Sequence, residues 1–373
     1  MAPNSTSARN TNVRFRKRRS SPRPSLFPAQ QDHSFFPQTR YQGSKLKLLD
    51  WIWASTSDLQ FDTVLDLFGG TACVSYLFKT KGKEVTFNDI LRSNYQIGKA
   101  LIENSSIQLS ELDVDLILEK HSRVAYDHFI EKEYHDIFFL PDENLWLDMV
   151  AQNIATITDE YKRALAYFAL FQACLAKRPY NLFHRANLYI RTAEVKRSFG
   201  NKATWEKPFE EHFRAAVEQA NRAVFDNGRR NHALNKDAEE LATDADLVYI
   251  DTPYMNARGM GVDYLDFYHF LEGLTEYKDW PQLITRDYRH KPYKRRTSPW
   301  CDRKSIREAF DRIFRRFSDS ILVVSYRDNG IPSPKELIEL LSRYKRHVCS
   351  ANNTEYRYVL STTKSREILI IGK

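Results

Sequence analysis

The sequence predicts an α/β fold in which a mostly parallel β-sheet is covered by helices and interrupted by a mainly helical insertion. Two observations predict it: a strand–helix–strand unit early in the chain, and apolar strands that return only after a long helical stretch. The 373 residues, 42% of them hydrophobic, suffice for one large core with a smaller inserted domain. No apolar run approaches the roughly 20 residues that span a bilayer, so no membrane partner is expected.

The early unit consists of four elements in close succession. Lys45–Ala54 is predicted as a helix, Thr63–Leu67 as a strand, Thr71–Thr80 as a helix and Glu84–Phe87 as a second strand. A strand–helix–strand unit of this length places its two strands side by side in parallel. It therefore predicts the first half of an α/β sheet.

The middle of the chain interrupts the sheet. Residues 92–176 are predicted to be mainly helical, because apolar residues recur at helical spacing, as in Leu165, Phe168, Ala169 and Leu175. Strands then return, and they are predicted at Ala223–Phe225, Leu247–Ile250, Ile321–Ser325, Arg357–Ser361 and Ile368–Ile371. This order predicts a Rossmann-like sheet with an insertion between its early and late strands.

The N-terminal segment, residues 1–38, is rich in Ser, Pro, Arg and Asn and cannot build a core. It carries seven basic side chains against one acid, Asp32, and so holds most of the net charge of +8. We expect a disordered arm, either solvated or in non-specific contact with phosphates. Its Arg- and Ser-rich composition is also weakly similar to an organelle transit peptide.

The cysteines exclude two further classes. Cys73, Cys174, Cys301 and Cys349 show no CxxC or other metal-type spacing, so neither a zinc site nor a disulfide framework is predicted. Free cysteines fit a reducing compartment, and a cytoplasmic location is expected.

A glycine turn joins the first strand to the next helix in Asp66–Ala72 (Asp-Leu-Phe-Gly-Gly-Thr-Ala). Glycines let a ligand approach the backbone, and the helix N-terminus offers free N–H groups. The GxGxxG dinucleotide fingerprint is absent. Asp89 ends the second strand about 20 residues later, the spacing of a ribose-binding carboxylate. A lone Asp could instead cap the helix that begins near Arg92.

The strand Leu247–Ile250 runs directly into Asp251-Thr252-Pro253-Tyr254. Open α/β sheets bind ligands at this end of their strands. An acid that accepts hydrogen bonds from an exocyclic amine, next to an aromatic ring, suits a flipped nucleobase. Upstream, Arg40–Lys45 places a glycine, a hydroxyl and a lysine at a helix start, where they could hold a carboxylate.

In this order and spacing, Arg40–Lys45, Asp66–Ala72 and Asp251–Tyr254 resemble the lysine motif, glycine turn and DPPY-type motif of the Dam-like class of N6-adenine-specific DNA methyltransferases. The resemblance continues at Val262–Leu274, Ile321–Pro334 and Tyr356–Ile371, and covers essentially everything after residue 38. It implies a Rossmann-like S-adenosylmethionine-dependent methyltransferase sheet. Residues 39–91 and 223–373 would form the catalytic domain, and residues 92–222 a helical target-recognition region.

The resemblance also implies a cofactor site for S-adenosyl-L-methionine. Lys45 would pair with the carboxylate of the cofactor, and Asp89 would accept hydrogen bonds from its ribose hydroxyls. Asp237 would lie against the cofactor adenine, although a helix cap is equally consistent with its position. The full set implied is Tyr41, Lys45, Asp66, Phe68, Gly70, Asp89, Asp237 and Asp251.

Catalysis would fall to Asp251, Thr252, Pro253 and Tyr254. The Asp251 carboxylate and the Thr252 carbonyl would accept hydrogen bonds from the target amine, so that its lone pair faces the methyl group, while Tyr254 stacks on the base. This is orientation and electrostatic stabilisation, and it requires no metal. Two positions depart from the family: Thr252 replaces the first proline of DPPY, and Ala72 replaces the last glycine of the FxGxG turn. Alanine there is tolerable if the residue is already helical.

Two basic segments, Lys177–Lys202 and Arg286–Arg316, are candidates for DNA binding. Isolated charge runs are usually solvated, but phosphates dominate affinity for DNA. In the first segment Asn181, His184, Arg185 and Asn187 could reach base edges. The second segment would bind the sugar–phosphate backbone of the DNA. The predicted DNA-binding residues are Lys177, Arg178, Asn181, Arg185, Arg191, Arg197, Arg295 and Arg296.

The predicted function is methylation of the N6 amine of a flipped adenine at specific sites in duplex DNA. The protein is expected to act as a monomer in the prokaryotic cytoplasm, within a restriction–modification system whose endonuclease shares the site. Three alternatives stay open: cytosine-N4 methylation, a catalytically silent DNA-binding protein on the same fold, and an RNA-modifying enzyme. An acid rather than serine at position 251 favours adenine.

Overall fold

The computed structural model describes residues 35–194, 202–255, 261, 263–294, 298–353 and 366–373. The predicted arm over residues 1–38 lies almost wholly outside the described residues. So does the predicted strand Arg357–Ser361.

A seven-stranded sheet forms the centre of the described chain, with strand order β3-β2-β1-β4-β5-β7-β6. The first five strands are parallel, and β7 lies antiparallel between β5 and β6. The strand order reverses between β1 and β4, where an open α/β sheet binds its ligand. The strands are β1 (Thr63–Asp66), β2 (Glu84–Asn88), β3 (His232–Leu234), β4 (Leu247–Ile250), β5 (Ile321–Arg327), β6 (Val348–Asn353) and β7 (Glu367–Gly372).

Helices fill most of the rest of the described chain. A short 3₁₀ turn, Leu46–Leu48, precedes the first of them, and a π-helical turn, Lys99–Glu103, extends the third. Their bounds are α1 (Leu49–Thr56), α2 (Cys73–Thr80), α3 (Arg92–Gly98), α4 (Glu111–Leu118), α5 (Phe129–Glu133), α6 (Pro141–Ala155), α7 (Glu160–Lys177), α8 (Tyr189–Thr192), α9 (Lys202–Glu206), α10 (Phe209–Ala223), α11 (Tyr264–Thr275), α12 (Trp280–Leu283), α13 (Ile306–Arg316) and α14 (Pro334–Leu341). No helix in these ranges is long and apolar enough to cross a membrane.

The sheet is buried on both faces, as parallel sheets are. Along β4, Leu247 and Tyr249 pack into a core shared with the helical insertion, whereas Val248 and Ile250 pack against α13 and α14. All four side chains are buried. Successive strand residues point to opposite faces, so an unbroken apolar run is what a strand covered on both sides requires.

The α/β class is confirmed, and five predicted strands agree with β1, β2, β4, β5 and β7 to within two residues. The predicted strand at Ala223–Phe225 is wrong, because α10 continues to Ala223. Phe213, Val217 and Ala220 recur at helical spacing and bury one face of this helix. The strand beside β2 is β3 instead, and β6 was not predicted, since residues such as Ser350 and Asn352 give it no apolar pattern.

Close packing of Phe87 on two glycines gives a test of this core. A Cβ atom on Gly98 would lie 2.2 Å from the Phe87 ring, although Gly98 is helical, where alanine is normally favoured by about 1 kcal/mol. We expect Gly98→Ala to lower the free energy of unfolding by about 1–3 kcal/mol because the ring must move. Urea unfolding measures it, and a gain in stability would contradict the packing.

Candidate active site

A cavity of about 360 Å³ opens at the carboxyl ends of β1, β2 and β4. Four of the sequence motifs meet there: the lysine motif at Tyr41–Lys45, the glycine turn after β1, the acid that ends β2, and the catalytic turn after β4. Pairing of β1 with both β2 and β4 brings the segments after these strands together, and Tyr41 and Asp251 meet although they are 210 residues apart in the chain. The predicted cofactor residues that line the cavity are Tyr41, Lys45, Asp66, Phe68, Gly70, Asp89, Asp237 and Asp251.

The glycine turn adopts left-handed backbone at two positions, Gly70 (φ 52°) and Ala72 (φ 64°). Ala72 precedes α2 and is not yet helical, which departs from the condition under which alanine was expected to be tolerable here. Left-handed backbone costs a residue with a Cβ atom about 1–2 kcal/mol. The glycine that the family usually carries at this position therefore has a steric reason.

Asp89 ties the end of β2 to the glycine turn. Its Oδ2 accepts hydrogen bonds from the Gly70 N–H at 2.9 Å and from Asn94 Nδ2 at 3.1 Å, and its Oδ1 accepts one from the Leu91 N–H at 2.9 Å. Burial raises the pKa of this carboxyl group. The alternative that Asp89 caps α3 is wrong, because Glu272 on α11 accepts the hydrogen bonds of the first N–H groups of that helix.

Asp66, at the end of β1, is a buried carboxylate with an unused acceptor. Its Oδ2 accepts a hydrogen bond from Ser75 Oγ at 2.6 Å, whereas its buried Oδ1 has no hydrogen-bond partner among the described residues. Burial raises the pKa of Asp66 to about 7. A buried acceptor without a partner on a cavity wall is suited to a donor group of a ligand.

The catalytic turn holds Asp251 through one of its two oxygens. Asp251 Oδ1 accepts a hydrogen bond from the Tyr254 hydroxyl at 2.6 Å and lies 3.0 Å from Lys45 Nζ. No described residue donates a hydrogen bond to Oδ2. The anchored oxygen fixes the carboxylate, and the second oxygen stays available as an acceptor.

Lys45 is buried beside two carboxylates and a phenol. Its ammonium lies 3.7 Å from Glu367 Oε1 on β7, contacts the Asp251 carboxylate, and donates a hydrogen bond to the Tyr254 hydroxyl. Burial alone would lower the pKa of Lys45, but Asp251 and Glu367 hold it well above its usual value. The ammonium is therefore engaged within the protein, on the side of the catalytic turn.

Tyr254 and Thr252, which the sequence predicted to be catalytic, are both buried and do not form a base-stacking surface at the cavity. The Tyr254 ring is 5% exposed, packs edge-on against Tyr326, and is not among the described residues that line the cavity. Pro253 lines the cavity, whereas the Thr252 side chain is buried beneath the turn with 2% exposure. The structure thus brings Asp251 and Pro253 to the cavity, and turns Tyr254 and Thr252 inward.

Several cavity residues were missed by the sequence reasoning. Asn94 contacts both Asp89 and the Tyr41 hydroxyl. Trp300, inside the second basic segment, lines the cavity and packs edge-on against Phe68 with ring centroids 5.0 Å apart. Asp237 both lines the cavity and accepts a hydrogen bond from the Glu239 N–H at 2.9 Å, so it also begins a turn. Nothing local in the sequence marks Asn94 or Trp300.

Three predicted DNA-binding cations are buried structural residues. Lys177 and Arg191 both pair with Glu143 at 2.7 Å, and Arg191 does so with two nitrogens. Arg178 is 1% exposed and donates hydrogen bonds to the carbonyls of Leu182 and Arg185. These three side chains are not available to phosphates, which corrects the prediction. Arg197, Arg295 and Arg296 lie outside the described residues.

The loop between α7 and α8 keeps other polar groups outward. Arg185 is exposed, and Tyr180 and Tyr189 are 55% and 68% exposed. Tyr180 and Asn181 are consecutive left-handed residues, with φ of 63° and 57°. The loop is tied to the catalytic side of the fold, because the Phe183 N–H donates a hydrogen bond to the Phe267 carbonyl on α11.

Of the second basic segment, Arg286 pairs with Glu133 at 2.9 Å, whereas Arg303, Lys304 and Arg307 are exposed. These three lie two to six residues after Cys301, which lines the cavity, and the exposed acid Asp302 precedes them. Exposed positive charge therefore lies next to the cavity in the chain. Among the described residues, no group of three or more His, Cys, Asp or Glu side chains could hold a metal ion.

The strand order, the antiparallel β7 and the acids at the ends of β1, β2 and β4 define an α/β methyltransferase fold. A sequence model of D12 class N6 adenine-specific DNA methyltransferases matches residues 41–326, and the chain belongs to this family.

Similar proteins agree with this assignment. The chain is 30% identical to the Type II methyltransferase M2.HphI of Haemophilus parahaemolyticus over 84% of its own length and 90% of that protein. It is 24% identical to the Type II methyltransferase M.CviAII of Paramecium bursaria Chlorella virus 1, over 86% and 93%. It is 25% identical to the Type II methyltransferase M.FokI of Planomicrobium okeanokoites over 82% of its length, and spans about half of that protein.

Two neighbouring arginines separate a structural from a surface role. We expect Arg178→Ala to lower the free energy of unfolding by about 2–4 kcal/mol, because the buried Leu182 carbonyl and the partly buried Arg185 carbonyl lose their donor. Arg185→Ala, at an exposed side chain, should change it by no more than about 0.5 kcal/mol. Chemical unfolding of the two variants measures the difference. Equal stability would show that Arg178 is not needed inside the fold.

Proposed function

We propose that this member of the family transfers the methyl group of S-adenosyl-L-methionine to the N6 amine of an adenine flipped out of duplex DNA. The observation that carries the proposal is Asp251, a carboxylate at the end of β4 with one oxygen fixed by Lys45 and Tyr254 and the other available at the cavity. An acceptor held in this way can orient an amine that reacts poorly when it is free.

The cavity suits the proposed cofactor. S-adenosyl-L-methionine would supply a methyl group on a positively charged sulfonium. The buried, unpartnered Oδ1 of Asp66 offers an acceptor for a donor of the cofactor, and Asp89 lies at the end of β2 where ribose is bound in such sheets. Several carboxylates line the cavity, which favours a cation. Tyr41, Phe68, Gly70 and Asp237 would complete this site.

The proposed mechanism uses Asp251 as the acceptor for one amine N–H and the Thr252 carbonyl for the other. With both hydrogens held, the nitrogen lone pair points away from the ring plane, toward the electrophilic carbon. The carboxylate also stabilises the positive charge that develops on the nitrogen. Thr252 replaces the first proline of the family motif, and its backbone carbonyl is kept, since every residue has one.

Lys45 and Tyr254 take roles different from those predicted from the sequence. Because the Lys45 ammonium is engaged by the catalytic turn, we assign it to positioning Asp251 rather than to pairing with the cofactor carboxylate. Tyr254 shares this task through its hydroxyl. Stacking of a base on the Tyr254 ring would require a more exposed ring face than the structure provides.

DNA would lie across the loop between α7 and α8 and the cations after Cys301. Arg185 and Asn181 are suited to base or phosphate contacts, and Arg303, Lys304 and Arg307 to phosphates. We propose residues 92–222 as the target-recognition region, and residues 39–91 with 223–373 as the catalytic domain. We further propose that the protein acts as a monomer in the prokaryotic cytoplasm, beside an endonuclease of the same specificity. The names of its relatives as Type II methyltransferases support the proposed link to an endonuclease.

The product identifies the reaction. We expect mass spectrometry of nucleosides, from duplex DNA incubated with the protein and S-adenosyl-L-methionine, to detect N6-methyladenine. Asp251→Ala should remove the product, while cofactor and DNA binding persist. N4-methylcytosine would redirect the proposal to the cytosine amine. Binding without any product on DNA would favour a silent binder, or an RNA substrate if RNA is methylated instead.

Asp89 provides a separate test of the cofactor site. We expect Asp89→Asn to weaken S-adenosyl-L-methionine binding by about 1.5–3 kcal/mol, or roughly 10- to 150-fold, because charged acceptors make the stronger hydrogen bonds. Isothermal titration calorimetry measures the dissociation constant. Asp62→Asn, at a 76% exposed carboxylate before β1, is the control and should leave it unchanged. Equal affinities for both variants would remove Asp89 from the site.

A further inference from the structure

We propose that Glu367, the first residue of β7, is a positioning residue for methyl transfer. Its carboxylate holds the Lys45 ammonium in place, and Lys45 with Tyr254 then fixes the Asp251 carboxylate at the cavity. This inference rests on the proposed role of Asp251. It adds a residue that lies more than 100 positions from the catalytic turn and does not itself line the cavity.

The direction of β7 brings Glu367 to the active edge of the sheet. Because β7 runs antiparallel to β5, its first residue lies beside Arg327, the last residue of β5. The carboxyl ends of β1 and β4 form the same edge. The remaining residues of β7, Ile-Leu-Ile-Ile-Gly, are apolar and buried, so this strand delivers one acid to the site.

Burial makes this acid costly unless it has a partner. Glu367 is 0% exposed and Lys45 is 3% exposed, with 3.7 Å between Oε1 and Nζ. Burial deprives a carboxylate of hydration and raises the pKa of Glu367 to about 7, whereas the nearby charges of Lys45 and Arg327 favour its ionised form. The distance between Oε1 and Nζ exceeds that of a hydrogen bond, so the attraction between Glu367 and Lys45 is mainly one of charge. Glu367→Gln would therefore remove it with little change in shape.

Glu367 gives Lys45 a second anchor. A lysine side chain has four rotatable bonds, and a single ion pair with Asp251 would let the two groups move together. With Glu367 as a second carboxylate beside it, the ammonium is held more firmly, and Asp251 Oδ1 contacts both Lys45 and Tyr254. The orientation of Oδ2 toward an incoming amine is then set before the base arrives, which is the kind of preorganisation that catalysis uses.

The first experiment separates rate from binding. We expect Glu367→Gln to lower the single-turnover rate of adenine methylation by about 10- to 100-fold, because a small displacement of an acceptor is enough for this loss. The dissociation constant for S-adenosyl-L-methionine should change by less than about twofold. Asp148→Asn, at an equally buried carboxylate in α6 that lines no part of the cavity, is the matched control. It should lower stability and leave the rate per folded molecule unchanged.

The second experiment asks whether Glu367 acts through Lys45. In a Lys45→Met background, followed over hours so that slow product formation is measured, Glu367→Gln should have no further effect on the rate. An unchanged rate in Glu367→Gln would overturn the inference. So would a decrease in rate by the same factor with Lys45 and with Met at position 45. If the unsubstituted protein forms no N6-methyladenine, the proposed function fails, whereas turnover retained in Asp251→Ala would remove the proposed role of Asp251 and the positioning role of Glu367 with it. An inactive Asp251→Ala with a fully active Glu367→Gln would remove only the positioning role.

Discussion

The pairing of β1 with β4 is the constraint on which the site depends. These strands are about 180 residues apart in the chain and adjacent in the sheet, with Val64 beside Leu247. Asp246 fastens one end of the pair, because its carboxylate accepts hydrogen bonds from the N–H groups of Asp62 and Thr63. At the other end the strands deliver Asp66 and Asp251 to one cavity. Without this pairing the two halves of the site would not meet.

The edge of the sheet at the carboxyl ends of β1, β2 and β4 holds several acids close together, and their burial opposes folding. Asp66, Asp89 and Asp251 line the cavity together, and burial raises the pKa of the first two. The protein offsets part of this cost with hydrogen-bond donors, such as Ser75 at Asp66, and with the Lys45 ammonium at Asp251. Buried ionisable groups are common at functional sites. Here these carboxylates surround the proposed binding sites of a cationic cofactor and of the target amine.

The fold and the cavity motifs were accessible from the sequence because they are local. An apolar run such as Leu247–Ile250 predicts a buried strand by itself, and the glycine turn marks its own position. The fate of a charged side chain depends on distant partners instead. Lys177 and Arg191 looked like DNA contacts until the fold placed Glu143 between them, and Glu367 has no local signal. Similarly, Ala223–Phe225 was predicted as a strand because it is apolar, and the run itself does not show that Ala223 ends a helix.

The partly buried Glu143 has a consequence for how the loop between α7 and α8, the proposed recognition loop, could diversify. Lys177 ends α7 and Arg191 lies in α8, so one carboxylate fastens both ends of the intervening loop. The ion pairs at the two ends of the loop offset the entropic cost of closing it, so the residues at its tip need not contribute. Exposed positions such as Arg185 and Tyr180 can therefore be substituted while both ends of the loop stay fixed. A lineage built on this frame could acquire new target sequences by drift at the loop tip, with the methyl-transfer apparatus inherited intact.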